Sequence, residues 1–198
     1  MKTLKNIFSL TALFVLFISC SDNDTKFYNV QYVNTSGLVT IQTQPSYAVN
    51  DILYVNGNFS RFVNETNQVN PLDIFKTTGG ATKFNFSYIL EKKLNATTWN
   101  IVEYTNSQLD INDGQAVSES YIYGSSLYNT ASQDYEFQVG VPLLSSGEYR
   151  LSFVNNGENE NINTVELRSE SKGTNMFLNI NSAVSNLDSN GYYLFTVN

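Results

Sequence analysis

The stretch TKFNFSYILEKK sets the firmest limit on what this chain can become. Phe84, Phe86, Tyr88 and Leu90 fall on one side of an extended chain, and Asn85, Ser87 and Glu91 fall on the other. A helix would spread those residues around its circumference, whereas a strand, with its period of two, gathers the apolar ones onto a single face. The same alternation returns in DYEFQVGVP through Tyr135, Phe137, Val139 and Val141, and in GEYRLSF through Tyr149, Leu151 and Phe153. Weaker versions run through FYNVQYV, GLVTIQT, DILYVNGNF, TTWNIVEY, ESYIYG, NTVELRS, MFLNIN and YYLFTV, so about eleven strands are expected.

Between these runs lie turn-forming strings such as NTSG, QPSYAVND, TTGG, LNATT, INDGQ, LSSG, NNGENEN and LDSNG. Only NPLDIFK and NSAVSNL leave room for short helices. Many strands joined by Gly- and Asn-rich turns predict an all-β protein, an antiparallel immunoglobulin-like β-sandwich over residues 27–198. One larger sandwich and two tandem small ones are both open. The polar segment TNSQLDINDGQ would supply a linker near residue 106, while the lack of an internal repeat favours one domain.

Composition removes several kinds of chemistry. The chain has no His and one Cys, Cys20. That excludes Ser-His-Asp and Cys-His nucleophiles and His- or thiolate-bound zinc, and no cofactor is expected. Disulfides cannot staple the fold, so packing must hold it. The formal charge of −7 argues against nucleic acid, whose phosphates need Lys and Arg.

The N-terminal end gives an address. MKTLKN carries Lys2 and Lys5 without an acid, and Ile7 to Ile18 is an apolar run, as in a secretory signal. That run is shorter than the ~20 residues a spanning helix needs, and SDND follows it. Phe17, Ile18, Ser19 and Cys20 resemble the bacterial lipobox, with Phe17 where that motif usually has Leu. The resemblance implies removal of residues 1–19, acylation of the Cys20 sulfur and membrane attachment through the acyl chains. A single chain binds marginally, at ~0.8 kcal/mol per buried methylene, and two or more hold stably.

Ser21, Asp22, Asn23 and Asp24, within a tether over residues 20–26, are similar to the acidic signal that sends Bacteroidota lipoproteins to the outer face of the outer membrane. The chain thus looks like the small lipoproteins of Bacteroidota, some of them accessory to glycan capture. The resemblance implies an outer-membrane lipoprotein at the cell surface, with the periplasmic face as the alternative. Loss of Lys2 and Lys5 would take the formal charge from −7 to −9.

Three groups of residues are candidates for a site. Asp110, Asn112 and Asp113, before Gly114, offer oxygen ligands for calcium, although an Asp-Gly turn explains them more simply. Trp99, Tyr121, Tyr123, Tyr192 and Tyr193 could form a ligand platform, in competition with core packing. Glu103, Glu136, Glu148 and Glu166 fall on polar strand positions and are expected to face solvent, which argues against a glycosidase carboxylate pair. The expectation is therefore a lipid-anchored envelope protein with a non-catalytic β-domain that binds a partner or serves envelope structure. A surface glycan-binding accessory protein is the alternative, an envelope protein a further partner, and a carboxylate-based glycoside hydrolase the least supported reading.

Overall fold

The computed structural model describes residues 29–154, 162–172 and 176–198. In chain order the first strands are β1 (Asn29–Ser36), β2 (Thr40–Ile41), β3 (Ile52–Asn56), β4 (Phe59–Ser60), β5 (Phe62–Val63) and β6 (Leu72–Asp73), followed by the one-turn helix α1 (Ile74–Thr77). Then come β7 (Lys83–Lys93), β8 (Trp99–Ile101), β9 (Asp110–Asp113), β10 (Gln115–Ser118), β11 (Ile122–Asn129), β12 (Asp134–Glu136) and β13 (Gln138–Pro142). The chain closes with β14 (Gly147–Val154), β15 (Thr164–Ser169), β16 (Met176–Ala183) and β17 (Tyr193–Val197). The protein is all-β and sandwich-like, as the alternating runs predict.

Two sheets carry the fold. The smaller has the order β2-β3-β13-β9, and the larger runs β1-β16-β15-β7-β11-β12-β4 with β8, β10, β14 and β17 attached beside that path. A separate small hairpin joins β5 to β6. At 11 residues, β7 is long enough to serve two partners on each edge. Along one edge it pairs with β11 and then β8, and along the other with β15 and then β14. Its alternate residues Phe84, Phe86, Tyr88 and Leu90 are buried, and they meet Leu53 and Val55 of β3 and Val139 and Val141 of β13 in one core.

The two sheets are not independent layers, because three successive strand pairs cross from one to the other. β3 and β4, β9 and β10, and β12 and β13 each have one member in each sheet. The crossings share a corner plugged by Phe137. The Gly57 N–H donates to the Phe137 carbonyl at 2.8 Å, and the Phe137 N–H donates to Asn58 Oδ1 at 2.7 Å. A Cβ on Gly124 would lie 2.8 Å from the Phe137 ring, and one on Gly114 would lie 2.7 Å from the Ser125 carbonyl oxygen. Gly114 also turns at φ 76°, a backbone region that favours glycine. Strands that switch sheets by bends of this kind make the corners of orthogonal sandwiches.

Some expectations need correction. LDINDGQ is not a simple turn or a linker: it forms β9 and β10, joined at Gly114. NSAVSNL is not helical at its start, since Asn181–Ala183 completes β16. NPLDIFK does supply α1, whose first turn is capped by the Asp73 carboxylate accepting the Lys76 N–H at 3.0 Å. The pairing is not wholly antiparallel, for β1 runs parallel to β16 over eight residue pairs. It can do so because the chain between them crosses the whole molecule, as parallel neighbours require. The Asn156-Gly157 turn lies outside the described residues.

Candidate functional site

The most site-like surface lies on the outer face of the larger sheet, where β8, β7, β14 and β17 stand side by side. Pairing register does the assembling. Trp99 lies opposite Lys93, Ile101 opposite Glu91, Glu91 opposite Arg150, and Arg150 opposite Leu194. Because Leu90, Tyr149 and Leu151 point into the core, the alternate residues Glu91, Lys93, Glu148 and Arg150 must point out.

Arg150 is the centre of this ledge. Its Nε and Nη2 donate to the two Glu91 carboxylate oxygens at 2.6 and 2.9 Å, a bidentate arrangement that fixes the planar group. Those hydrogen bonds raise the guanidinium pKa further. With its orientation fixed, Cζ lies 4.6 Å from the centroid of the Trp99 ring and 4.2 Å from that of Tyr192. Lys93 approaches Trp99 at 5.8 Å and is ion-paired with Glu148. Each cation–π contact at such a half-open position contributes ~0.5–1 kcal/mol. Tyr192 is held by the turn before it, where the Asp188 carboxylate accepts the Asn190 and Tyr192 N–H groups at 2.8 and 2.9 Å. Those bonds, the one from Tyr192 first, lower the Asp188 pKa.

Beside the ledge a groove of about 290 Å³ is lined by Lys93, Trp99, Glu148, Tyr149, Leu194, Phe195 and Thr196. Its cations are already matched by Glu91 and Glu148. The surface therefore offers rings, apolar edges and hydrogen-bonding groups, with both of its cations paired.

The other platform candidates separate. Tyr193 faces away from Tyr192: its ring stacks on Phe195 at 5.3 Å and its hydroxyl shares a hydrogen bond with Tyr47 at 3.1 Å. Burial, together with that bond, raises its pKa. Tyr121 and Tyr123, both 41% exposed, line a different groove of about 220 Å³ with Val117 and Glu119. Cys20, Ser21, Asp22, Asn23 and Asp24 lie outside the described residues.

The calcium candidates divide, Asp110 and Asn112 facing Tyr54 and Asp113 lying elsewhere. Asp110 accepts the Tyr54 hydroxyl, and the Asn112 amide donates to Gln138 Oε1 at 3.0 Å. Asp113 instead lines a hollow of about 480 Å³ with Asp134 and Glu136. Among the described residues, no three Asp or Glu side chains are grouped to hold a metal ion.

Glu166 is a correction. It is buried, at 6% exposure, and accepts the Asn179 amide at 3.0 Å, because β15 is enclosed between β7 and β16. Glu148 and Glu136 are committed to Lys93 and to Asn129 and Ser132. Among the described residues, the carboxylates with displaced pKa, Asp73, Glu170 and Asp188, all move downward, the opposite of what a general acid at neutral pH requires.

Sequence reasoning located Trp99 and Tyr192 but missed Arg150 and Glu91, which join them. Strand parity puts both outward; only cross-strand register brings them together. Comparison with protein-family models, curated proteins and solved structures found no match.

Proposed function

We propose that this chain is a lipid-anchored cell-envelope protein, attached through acyl chains on Cys20 and carried by the Ser21–Asp24 tether to the cell surface, whose β-domain is a non-catalytic binding module. The observation that carries the binding reading is the ledge itself. Trp99, on β8, and Tyr192, just before β17, are held on either side of a clamped Arg150, beside an open groove. Such preorganisation lowers the entropy lost when a ligand docks. Half-exposed rings beside paired cations favour glycan capture as the second reading.

Two measurements test these readings. Cells fed labelled palmitate should label the native chain and not Cys20→Ser, and the variant should leave the membrane fraction; equal labelling of both would end the anchoring reading. The full chain in detergent should be slowed in native gels cast with envelope or plant polysaccharides, and Trp99→Ala should be slowed less. If the native chain is never slowed, glycan capture falls and a protein partner takes its place.

A further inference from the structure

The outer face of the smaller sheet holds a second arrangement, built around a missing side chain. Gly140 sits in β13 between β3 and β9, paired with Tyr54 on one side and Asp110 on the other. A Cβ there would come within 2.3 Å of Ile52 Cγ2 and 2.7 Å of Tyr54 Cε1. The Tyr54 ring therefore occupies the space that glycine leaves, lies down across β13, and brings its hydroxyl to Asp110 on the far strand. Any other residue at position 140 would lift the ring off the sheet.

Covering a sheet glycine with an aromatic ring is stabilising in itself, and a Phe would do it equally well. The hydroxyl and its surroundings ask for more. Beside it a ladder of amides crosses the same three strands: Asn112 donates to Gln138 Oε1 and Gln138 donates to Asn56 Oδ1, each at 3.0 Å. Asn112 is the extra residue of a β-bulge, where the register against β13 shifts between Gln138 and Val139. Bulges of this kind re-aim side chains next to binding sites. The result is a ring laid on a floor and bordered by a carboxylate and planar amides, all on rigid strands.

We propose that the Tyr54–Asp110 network is a binding subsite for one residue of a neutral saccharide. The sugar would rest its C–H face on the ring, an aromatic surface suited to such contact, and share adjacent hydroxyls with Asp110, Asn112 and Gln138, which together supply both donors and acceptors. Charge sets the class. Asp110 is the one acidic side chain of the network and the chain carries a net −7, so acidic polymers are repelled, while purely apolar ligands would leave the outward hydrogen-bonding capacity of the network unused. The inference rests on the binding-module reading and is independent of the Trp99 ledge, which lies on the other sheet.

The test uses the full chain in detergent with linear neutral hexasaccharides of glucose, xylose, mannose and galactose, and a hexauronate as the acidic probe, read by saturation-transfer NMR and titration calorimetry. At least one neutral probe should receive saturation on the protons of one ring face. Tyr54→Ala should weaken its binding at least about tenfold, a loss equivalent to ~1.4 kcal/mol. Asn112→Ala, at an exposed position on an edge strand, serves as the variant least able to disturb folding and should weaken binding about threefold, while Val69→Ala, at an exposed position outside both surfaces, should bind as the native chain does. The subsite is overturned if no neutral probe binds, if the hexauronate binds in their place, or if both Tyr54→Ala and Asn112→Ala bind as the native chain does. In that event polysaccharide retardation reduced in Trp99→Ala would still support the binding module.

Discussion

Two buried tyrosines show how much a single hydroxyl matters in this core. Tyr135 donates to the Ala81 carbonyl at 2.7 Å, whereas the Tyr88 hydroxyl is buried with no hydrogen-bond partner. Burial raises the pKa of both and keeps them neutral. Since an unmet polar group costs ~1–3 kcal/mol and a satisfied one contributes ~1 kcal/mol, removal of the two oxygens should have opposite effects. Tyr88→Phe is expected to raise stability by about 1 kcal/mol and Tyr135→Phe to lower it by about as much, in urea unfolding followed by tryptophan fluorescence. A destabilised Tyr88→Phe would mean that the hydroxyl bonds to an internal water.

At the scale of elements, α1 joins local capping to a longer-range ion pair. Asp73 caps the helix and also receives Arg61, whose Nε donates at 3.1 Å. The Arg61 hydrogen bond chiefly lowers the Asp73 pKa below its ordinary value of 3.8. A depressed carboxylate stabilises the fold above its unfolded pKa and loses that contribution as pH falls through the folded one. The acid limb of the melting profile, below about pH 4, should therefore be shallower in Asp73→Asn, which keeps the cap and loses the charge. Identical limbs would show that the pair does not contribute.

The strands themselves were legible because burial follows parity, and TKFNFSYILEKK is β7 almost residue for residue. DYEFQVGVP shows where that signal stops. Its alternation is unbroken, yet the chain changes sheets at Phe137, since a residue buried at a corner reads the same as one buried mid-strand. LDINDGQ hid two strands behind turn-forming residues because Gly114 is needed at the corner between them. The ledge was half legible: composition marked Trp99 and Tyr192, but their link through Arg150 depends on register between strands some 60 residues apart in sequence, Glu91 and Arg150 being 59 apart.

Over the whole molecule, strands from before and after residue 106 pair with one another in both sheets. β13 lies between β3 and β9, and β7 carries β11, β14 and β15. Segments 1–106 and 107–198 expressed separately should thus lack cooperative melting transitions, while the intact chain unfolds in one. A sharp independent transition from either half would show that the shared corner is dispensable.

If the chain is held at Cys20 as proposed, the direction of β1 has a mechanical meaning. Drag on a captured ligand would be returned to the membrane through the chain that enters β1. Because that strand lies parallel to β16 and is matched along eight residues, tension along its axis falls on the whole row of hydrogen bonds together, in shear. A hairpin loaded at its open end would instead unzip one bond at a time. On the anchored reading, the strand nearest the membrane is the one set to bear load.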